Sequence, residues 1–208
     1  MGILNVLQWK TFIEGMTLTM IVIAFGHEKS VGKDTAAKFL TTILRTSKPG
    51  ITINKIGFAS KLKAICYDLY QHLGLKDEQY YEDNPPLKEI ILPKLGKSPR
   101  TIWIEMGNKV REVYPGTWLE YPFNRIKADI LIFKDLRFWN EAEKVEFVND
   151  KYKGYNIKIE NDRIPHTSDE ADDNLLNFDR WYKVIKNNGT IGDLYKEMEI
   201  LVKELGLI

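Results

Sequence analysis

The sequence predicts a three-layer α/β domain on a mostly parallel sheet, and three observations carry that reading. Two apolar runs, Met20–Phe25 and Ala128–Phe133, are continuous rather than alternating, the pattern of strands buried on both faces. Stretches with apolar residues at helical spacing alternate with such strands along most of the chain, which favours parallel pairing through crossover helices. A loop bearing glycines and lysines, Gly26–Lys33, joins the first run to the first helical stretch. With 208 residues, one domain over 16–208 and an N-terminal extension at 1–15 are expected.

The elements follow in order. Ile3, Leu4, Leu7, Trp9, Phe12 and Ile13 suggest a short amphipathic helix ending near Gly15, an extension docking on the body or on a partner. After the strand Met20–Phe25, the residues Ala36, Ala37, Phe39, Leu40, Ile43 and Leu44 recur at helical spacing until Ser47–Gly50 stops them. Ile51–Phe58 reads as a strand and Leu62–Leu73 as a helix closed by Gly74. Lys76–Ser98, acidic and proline-bearing, reads as an irregular surface excursion. Thr101–Tyr114 and Trp118–Ile126 read as helices, Ala128–Phe133 as the second core strand, and Asn140–Phe147 as a helix. Tyr155–Glu160 is a strand, Asp162–Asp179 a polar loop or lid, Trp181–Ile185 a last strand, and Ile191–Leu205 an amphipathic helix.

Composition narrows the function classes. Thirty Lys and Arg against 29 Asp and Glu leave a net charge of +1 and no long basic stripe, so a nucleic-acid partner is not expected. Cys66 is the one cysteine, which excludes an internal disulfide and fits a reducing cytoplasm, and on its helix it reads as a small buried hydrophobe. The run Met20–Phe25 is too short to span a bilayer, so no membrane association is expected.

The chemistry concentrates in a few places. Gly26-His-Glu-Lys-Ser-Val-Gly-Lys-Asp-Thr35 lies between a buried strand and a helix, the context in which such a pattern binds phosphate. Backbone N–H groups at the helix start face the anion, glycines let the backbone approach, and Lys33 supplies an ammonium. The spacing departs from the usual pattern: five residues rather than four separate Gly26 from Gly32, and Asp34 follows Lys33, with the hydroxyl one step on at Thr35. The competing reading is an ordinary turn capped by Asp34. Asp135 ends an apolar strand, where a carboxylate can orient Mg²⁺ and its waters or simply cap the next helix, and Arg137 is available to a phosphate or to an ion pair with Glu141. Arg100 and Arg111, at either end of a helix, and Trp118 beyond it can hold a nucleotide or serve as salt bridges and core.

Taken together, these features resemble the bacteriophage deoxynucleoside monophosphate kinases, a branch of the P-loop nucleoside-monophosphate kinase family, from about Met20 onward. The matched pieces are Gly32–Thr35, Phe58-Ala59 with Leu62-Lys63, and Ser98-Pro99-Arg100 with Gly107, Arg111 and Trp118. They continue with Asp135–Phe138 and Glu141, His166–Asp169, and Asn187–Thr190. Ser60 and Asp169 depart from the family's usual acidic residue and glutamate. The resemblance implies a P-loop fold with an acceptor-binding insert at about 58–126 and a lid-like segment at about 160–180. It implies transfer of the ATP γ-phosphoryl group to a deoxynucleoside monophosphate, with Mg²⁺, in phage nucleotide metabolism and in the host cytoplasm. On this resemblance Gly26, Lys29, Gly32, Lys33 and Thr35 hold the ATP phosphates, and Asn187 and Gly189 lie near the adenine. Asp34, Thr35 and Asp135 organise the metal, partly through water, and Lys33, Asp34, Asp135 and Arg137 form the catalytic set. Phe58, Lys63, Arg100, Arg111, Trp118 and Arg137 hold the monophosphate, and Arg163 and His166 close a lid. A kinase for another small phosphorylated acceptor and a non-catalytic nucleotide-binding protein are the alternative readings, and a homodimer through residues 1–15 stays open.

Overall fold

The structure is a computed structural model and describes residues 20–147, 151–165 and 174–208. The predicted extension at 1–15, His166 and part of the predicted lid lie outside these residues. Five strands form one all-parallel sheet: β1 (Met20–Gly26), β2 (Ile53–Ile56), β3 (Ile130–Leu136), β4 (Tyr152–Glu160) and β5 (Lys183–Lys186). The described residues also contain seven α-helices: α1 (Lys33–Ser47), α2 (Ser60–Tyr70), α3 (Glu78–Asp83), α4 (Pro99–Val113), α5 (Thr117–Arg125), α6 (Trp139–Glu146) and α7 (Ile191–Glu204). None of them is long and apolar enough to cross a membrane. The chain divides into two compact units, one built from the described residues up to Lys55 and from Ala128 onward, the other from Ile56–Lys127.

The first unit contains the sheet, in the order β2-β3-β1-β4-β5. β1 is the centre because it can be: Val22, Ile23, Ala24 and Phe25 are fully buried, and no other residue type tolerates burial on both faces so cheaply. On one face Ile23, Phe25, Ile132, Ile157 and Ile159 meet Ala36, Ala37, Leu40 and Leu44 of α1 and Leu194, Met198, Leu201 and Val202 of α7. On the other face α6 lies against β4. Asn156 Nδ2 donates to the Ala142 carbonyl at 2.9 Å, Tyr152 Oη donates to the Lys144 carbonyl at 2.7 Å, and Gly154 leaves room for the Val145 carbonyl. Helices on both faces complete the three layers expected from the sequence.

The register also positions the site. Ala24 pairs with Phe133 but Gly26 pairs with Leu136, so β3 carries one extra residue at its carboxyl end, a bulge at Lys134-Asp135. From β1 the chain returns to the β2 side, and from β3 it passes to the β4 side. The carboxyl ends of β1 and β3 therefore flank the switch point where open α/β sheets bind ligands.

The second unit has its own core of Leu62, Cys66, Leu75, Tyr81, Ile102, Trp103 and Trp118. The excursion at Lys76–Ser98 is less irregular than expected. Asp77 caps α3 by accepting from Tyr80 N at 2.8 Å, and a 3₁₀ turn follows at Pro85–Glu89. Tyr81 explains the order: its ring is buried edge-on against Trp103, 5.4 Å between centroids, which fixes the helix that carries it. Cys66 is fully buried, as expected, and burial pushes its thiol up.

A Cβ at position 154 would run into the backbone carbonyl of Val145, which cannot rotate away. Gly154→Ala is expected to lose about 3 kcal/mol of stability by separating α6 from β4. A urea unfolding midpoint unchanged from wild type would refute that packing.

Candidate functional site

The loop from β1 to α1 is built by backbone geometry. His27 and Ser30 adopt φ of 86° and 65°, and Gly32, the N-cap of α1, takes φ 107°. Left-handed backbone is rare for residues with a Cβ, and holding two such residues there costs on the order of 1 kcal/mol or more each. Four residues, Glu28–Val31, lie between His27 and Gly32. His27 and Gly32 are thus left-handed positions separated by those four residues, with Ser30 a third between them.

Both loop glycines are explained by neighbours. A Cβ on Gly26 would fall 2.8 Å from the indole of Trp181 and 3.0 Å from Leu136, and one on Gly32 would fall 2.5 Å from Asn187 Nδ2. Asn187 Nδ2 donates to the Val31 carbonyl at 2.9 Å, tying the loop to the turn after β5. Gly189 leaves room for Asp193, whose carboxylate accepts from Thr190 N and Oγ1 and caps α7.

Lys33 opens α1 and is buried. Its ammonium donates to the carbonyls of His27, at 2.9 Å, and of Glu28. An ammonium and the N–H groups of a helix start thus share one end of the loop, an arrangement that attracts anions. Asp34 is exposed in the first turn and makes no cap bond, so it is not the helix cap. Thr35 is half-buried one step on, and Lys29 is exposed on the loop. His27 is buried, with Nδ1 3.8 Å from Glu28 Oε1 and Nε2 without a hydrogen-bond partner among the described residues. Burial, and then the positive charge of Lys158, hold its pKa below the ordinary histidine value, so it is neutral at pH 7.

At the end of β3, Asp135 is half-buried at the bulge and Arg137 follows it. Glu141, a matched position and an ion-pair candidate for Arg137, bonds to backbone N–H groups. Its Oε2 accepts from Arg137 N at 2.9 Å and Phe138 N at 3.2 Å, fixing the turn that carries Arg137. Burial pushes its carboxyl up to about 8, aided by the charge of Asp135 and opposed by the two N–H groups and Arg137. The spacing of Glu141 three residues after Phe138 at a helix start was the signal available for this role.

Arg163 of the predicted lid reaches back to the turn after β5, donating to the carbonyls of Asn187 at 3.2 Å and Gly189 at 3.4 Å. The first unit thus brings Gly26, Gly32, Lys33, Asp135, Arg137, Arg163, Asn187 and Gly189 to the carboxyl edge of its sheet. Among the described residues no group of three or more His, Cys, Asp or Glu is placed to hold a metal ion.

In the second unit, Gly107 leaves room for Leu62, whose Cδ2 lies 2.9 Å from where a Cβ would stand, and Arg111 and Trp118 lie beside the same residue at ordinary contact distance. Trp118 Nε1 donates to the Gly107 carbonyl at 3.1 Å, and a Cβ there would lie 3.6 Å from Arg111 Nη1. Arg111 also donates to Asn108 Oδ1 at 3.0 Å. Arg100 lies eleven residues earlier on α4, about 16 Å away along the axis, and pairs with Glu89. The two arginines therefore do not form one fork. Lys63 pairs with Glu78 at 2.7 Å and lies 5.4 Å from the centroid of the Trp103 ring. Phe58 is buried just after β2.

No known protein-family model matches the chain, and no curated protein matches it.

Because the Glu141 carboxyl binds its proton more tightly folded than unfolded, this group makes stability fall as pH rises from about 4.5 toward 8. Glu141→Gln keeps an acceptor oxygen and removes the titration. Urea unfolding from pH 5 to 8 should therefore show a shallower decline for the variant than for wild type, and parallel curves would contradict the assignment.

Proposed function

We propose that the protein is an ATP-dependent deoxynucleoside monophosphate kinase with a P-loop fold. The observation that carries this reading is the β1–α1 loop: left-handed backbone at His27, Ser30 and Gly32, with a buried Lys33 opening the helix at the switch point of a parallel sheet. The sequence resemblance supplies the acceptor, and the placing of Arg111 and Trp118 beside Gly107 in the second unit supports it.

In this reading the bond from the γ-phosphorus to the bridging oxygen breaks, a bond to a phosphate oxygen of the monophosphate forms, and ADP leaves. The reaction asks mainly for charge neutralisation and alignment. The loop N–H groups and Lys33 hold the donor phosphates, Arg137 stabilises charge on the transferring group, and Asn187 keeps the loop in shape. Lys63 and Arg111 hold the acceptor phosphate with Trp118 beside the base, and Arg100 serves at the far end of α4. The oxygen donors Asp34, Thr35 and Asp135 fit Mg²⁺, which binds through one or two carboxylates, water and substrate phosphates rather than a protein cage. The metal would supply charge neutralisation on the phosphates. Glu141 holds the Arg137 turn in register with Asp135.

The test is ADP release from ATP and Mg²⁺ with each of the four common deoxynucleoside monophosphates and their ribose counterparts. Turnover with some of the deoxy forms is expected. ATP binding without turnover on any of them would move the reading to another acceptor or to a non-catalytic binder. Lys33→Ala should lower kcat on the order of 100-fold with the fold kept, as judged by circular dichroism. Arg111→Ala should raise KM for the monophosphate about tenfold while leaving KM for ATP within about twofold; equal effects on both substrates would remove Arg111 from the acceptor side.

A further inference from the structure

His27 occupies the loop position where a glycine is the easy choice, and something must hold it in left-handed backbone. The structure assigns that task to Trp181. The indole edge of Trp181, through Cη2 and Cζ3, fills the space over Gly26 that a side chain would take. The same ring meets the His27 imidazole edge-on, with centroids 6.4 Å apart and planes at 77°. Trp181 is itself fixed from behind. Its Nε1 donates to the Phe178 carbonyl at 2.7 Å, Phe178 packs against it at 4.9 Å, and Trp139 of α6 packs against Phe178 at 5.3 Å. Arg180 lies over both the Trp139 and Phe178 rings and pairs with Glu143 and Glu146 of α6. A strut of aromatic rings thus runs from α6 to the root of the loop, and its last member meets His27, one of the two loop residues with a Cβ held in left-handed backbone.

We propose that Trp181 is a positioning residue for nucleotide binding: it keeps His27 in the conformation of a glycine, so that the loop is formed before the triphosphate arrives. This rests on the phosphate-loop reading above. Without the indole, His27 is free to relax to negative φ, and ATP must then restore the strained loop as it binds, which weakens affinity. A glycine at position 27 removes that dependence, because left-handed backbone costs it nothing.

The test is a double-mutant cycle on the full-length protein, with the dissociation constant for MgATP measured by titration calorimetry and thermal stability measured alongside. Trp181→Ala is expected to weaken ATP about tenfold in the chain carrying His27 and by less than about twofold in a His27→Gly chain relative to that chain alone. The loss of thermal stability on removing the indole should be similar in both backgrounds, since the packing on Phe178 is lost in each. A structural role alone would weaken ATP equally in both backgrounds, and that result overturns the proposal, as does unchanged ATP affinity for Trp181→Ala. If Trp181→Ala does not fold, Trp181→Phe serves in its place: it keeps a ring on Phe178 but lacks the atoms that cover Gly26, and the same background dependence is expected. Failure of the wild-type protein to bind MgATP would remove the phosphate-loop reading itself, and the proposal with it.

Discussion

The structure depends on β1 being buried on both faces. A strand with Val22, Ile23, Ala24 and Phe25 all shielded from water has to sit in the middle of the sheet, with helices above and below. α1 and α7 cover one side, α6 the other, and β3 and β4 satisfy the strand's hydrogen bonds. Once β1 is central, its carboxyl end lies beside those of β3 and β4, and the loops leaving these strands share one edge. The site is a consequence of where the apolar residues had to go.

The loop leaving β1 shows how such an edge becomes chemically useful. Its backbone must turn sharply to start α1, and the turn is held by side chains from distant segments: Asn187 on the Val31 carbonyl and over Gly32, Trp181 over Gly26 and against His27. Strain at His27 and Ser30 persists because the neighbours over-determine it, which is how proteins keep functional loops preformed. The glycines act less by their own freedom than by leaving room for the clamps.

The end of β3 follows the same logic by a different route. The bulge at Lys134-Asp135 shifts the register by one residue, and Glu141 then ties down the peptides of Arg137 and Phe138. Burial and the neighbouring Asp135 charge make this carboxyl expensive to ionise even though two N–H groups donate to it, and its high pKa is the electrostatic record of that placement. In the second unit Gly107 does for Leu62 what Gly26 does for Trp181: a missing Cβ leaves room for a larger side chain.

Much of this was written in the sequence. The apolar runs set the core strands, helical spacing set α1, α4 and α7, and the strand-loop-helix context around Lys33 marked the loop, because each is a local pattern of side-chain chemistry. Other features were not legible. Tyr81 reads as one aromatic in a polar stretch until Trp103 is beside it, Glu141 reads as a partner for a side chain rather than for two backbone amides, and Lys63 gives no sign of Glu78 and Trp103. The left-handed backbone of His27 was hidden because letters show spacing but not φ. The sequence by itself determined which segments are buried and where a charge-bearing loop interrupts them, since burial and periodicity are properties of neighbours along the chain. Only the tertiary structure decided which residues hold that loop in shape, since Trp181 and Asn187 reach it from about 150 residues away and their contacts follow from packing rather than from pattern.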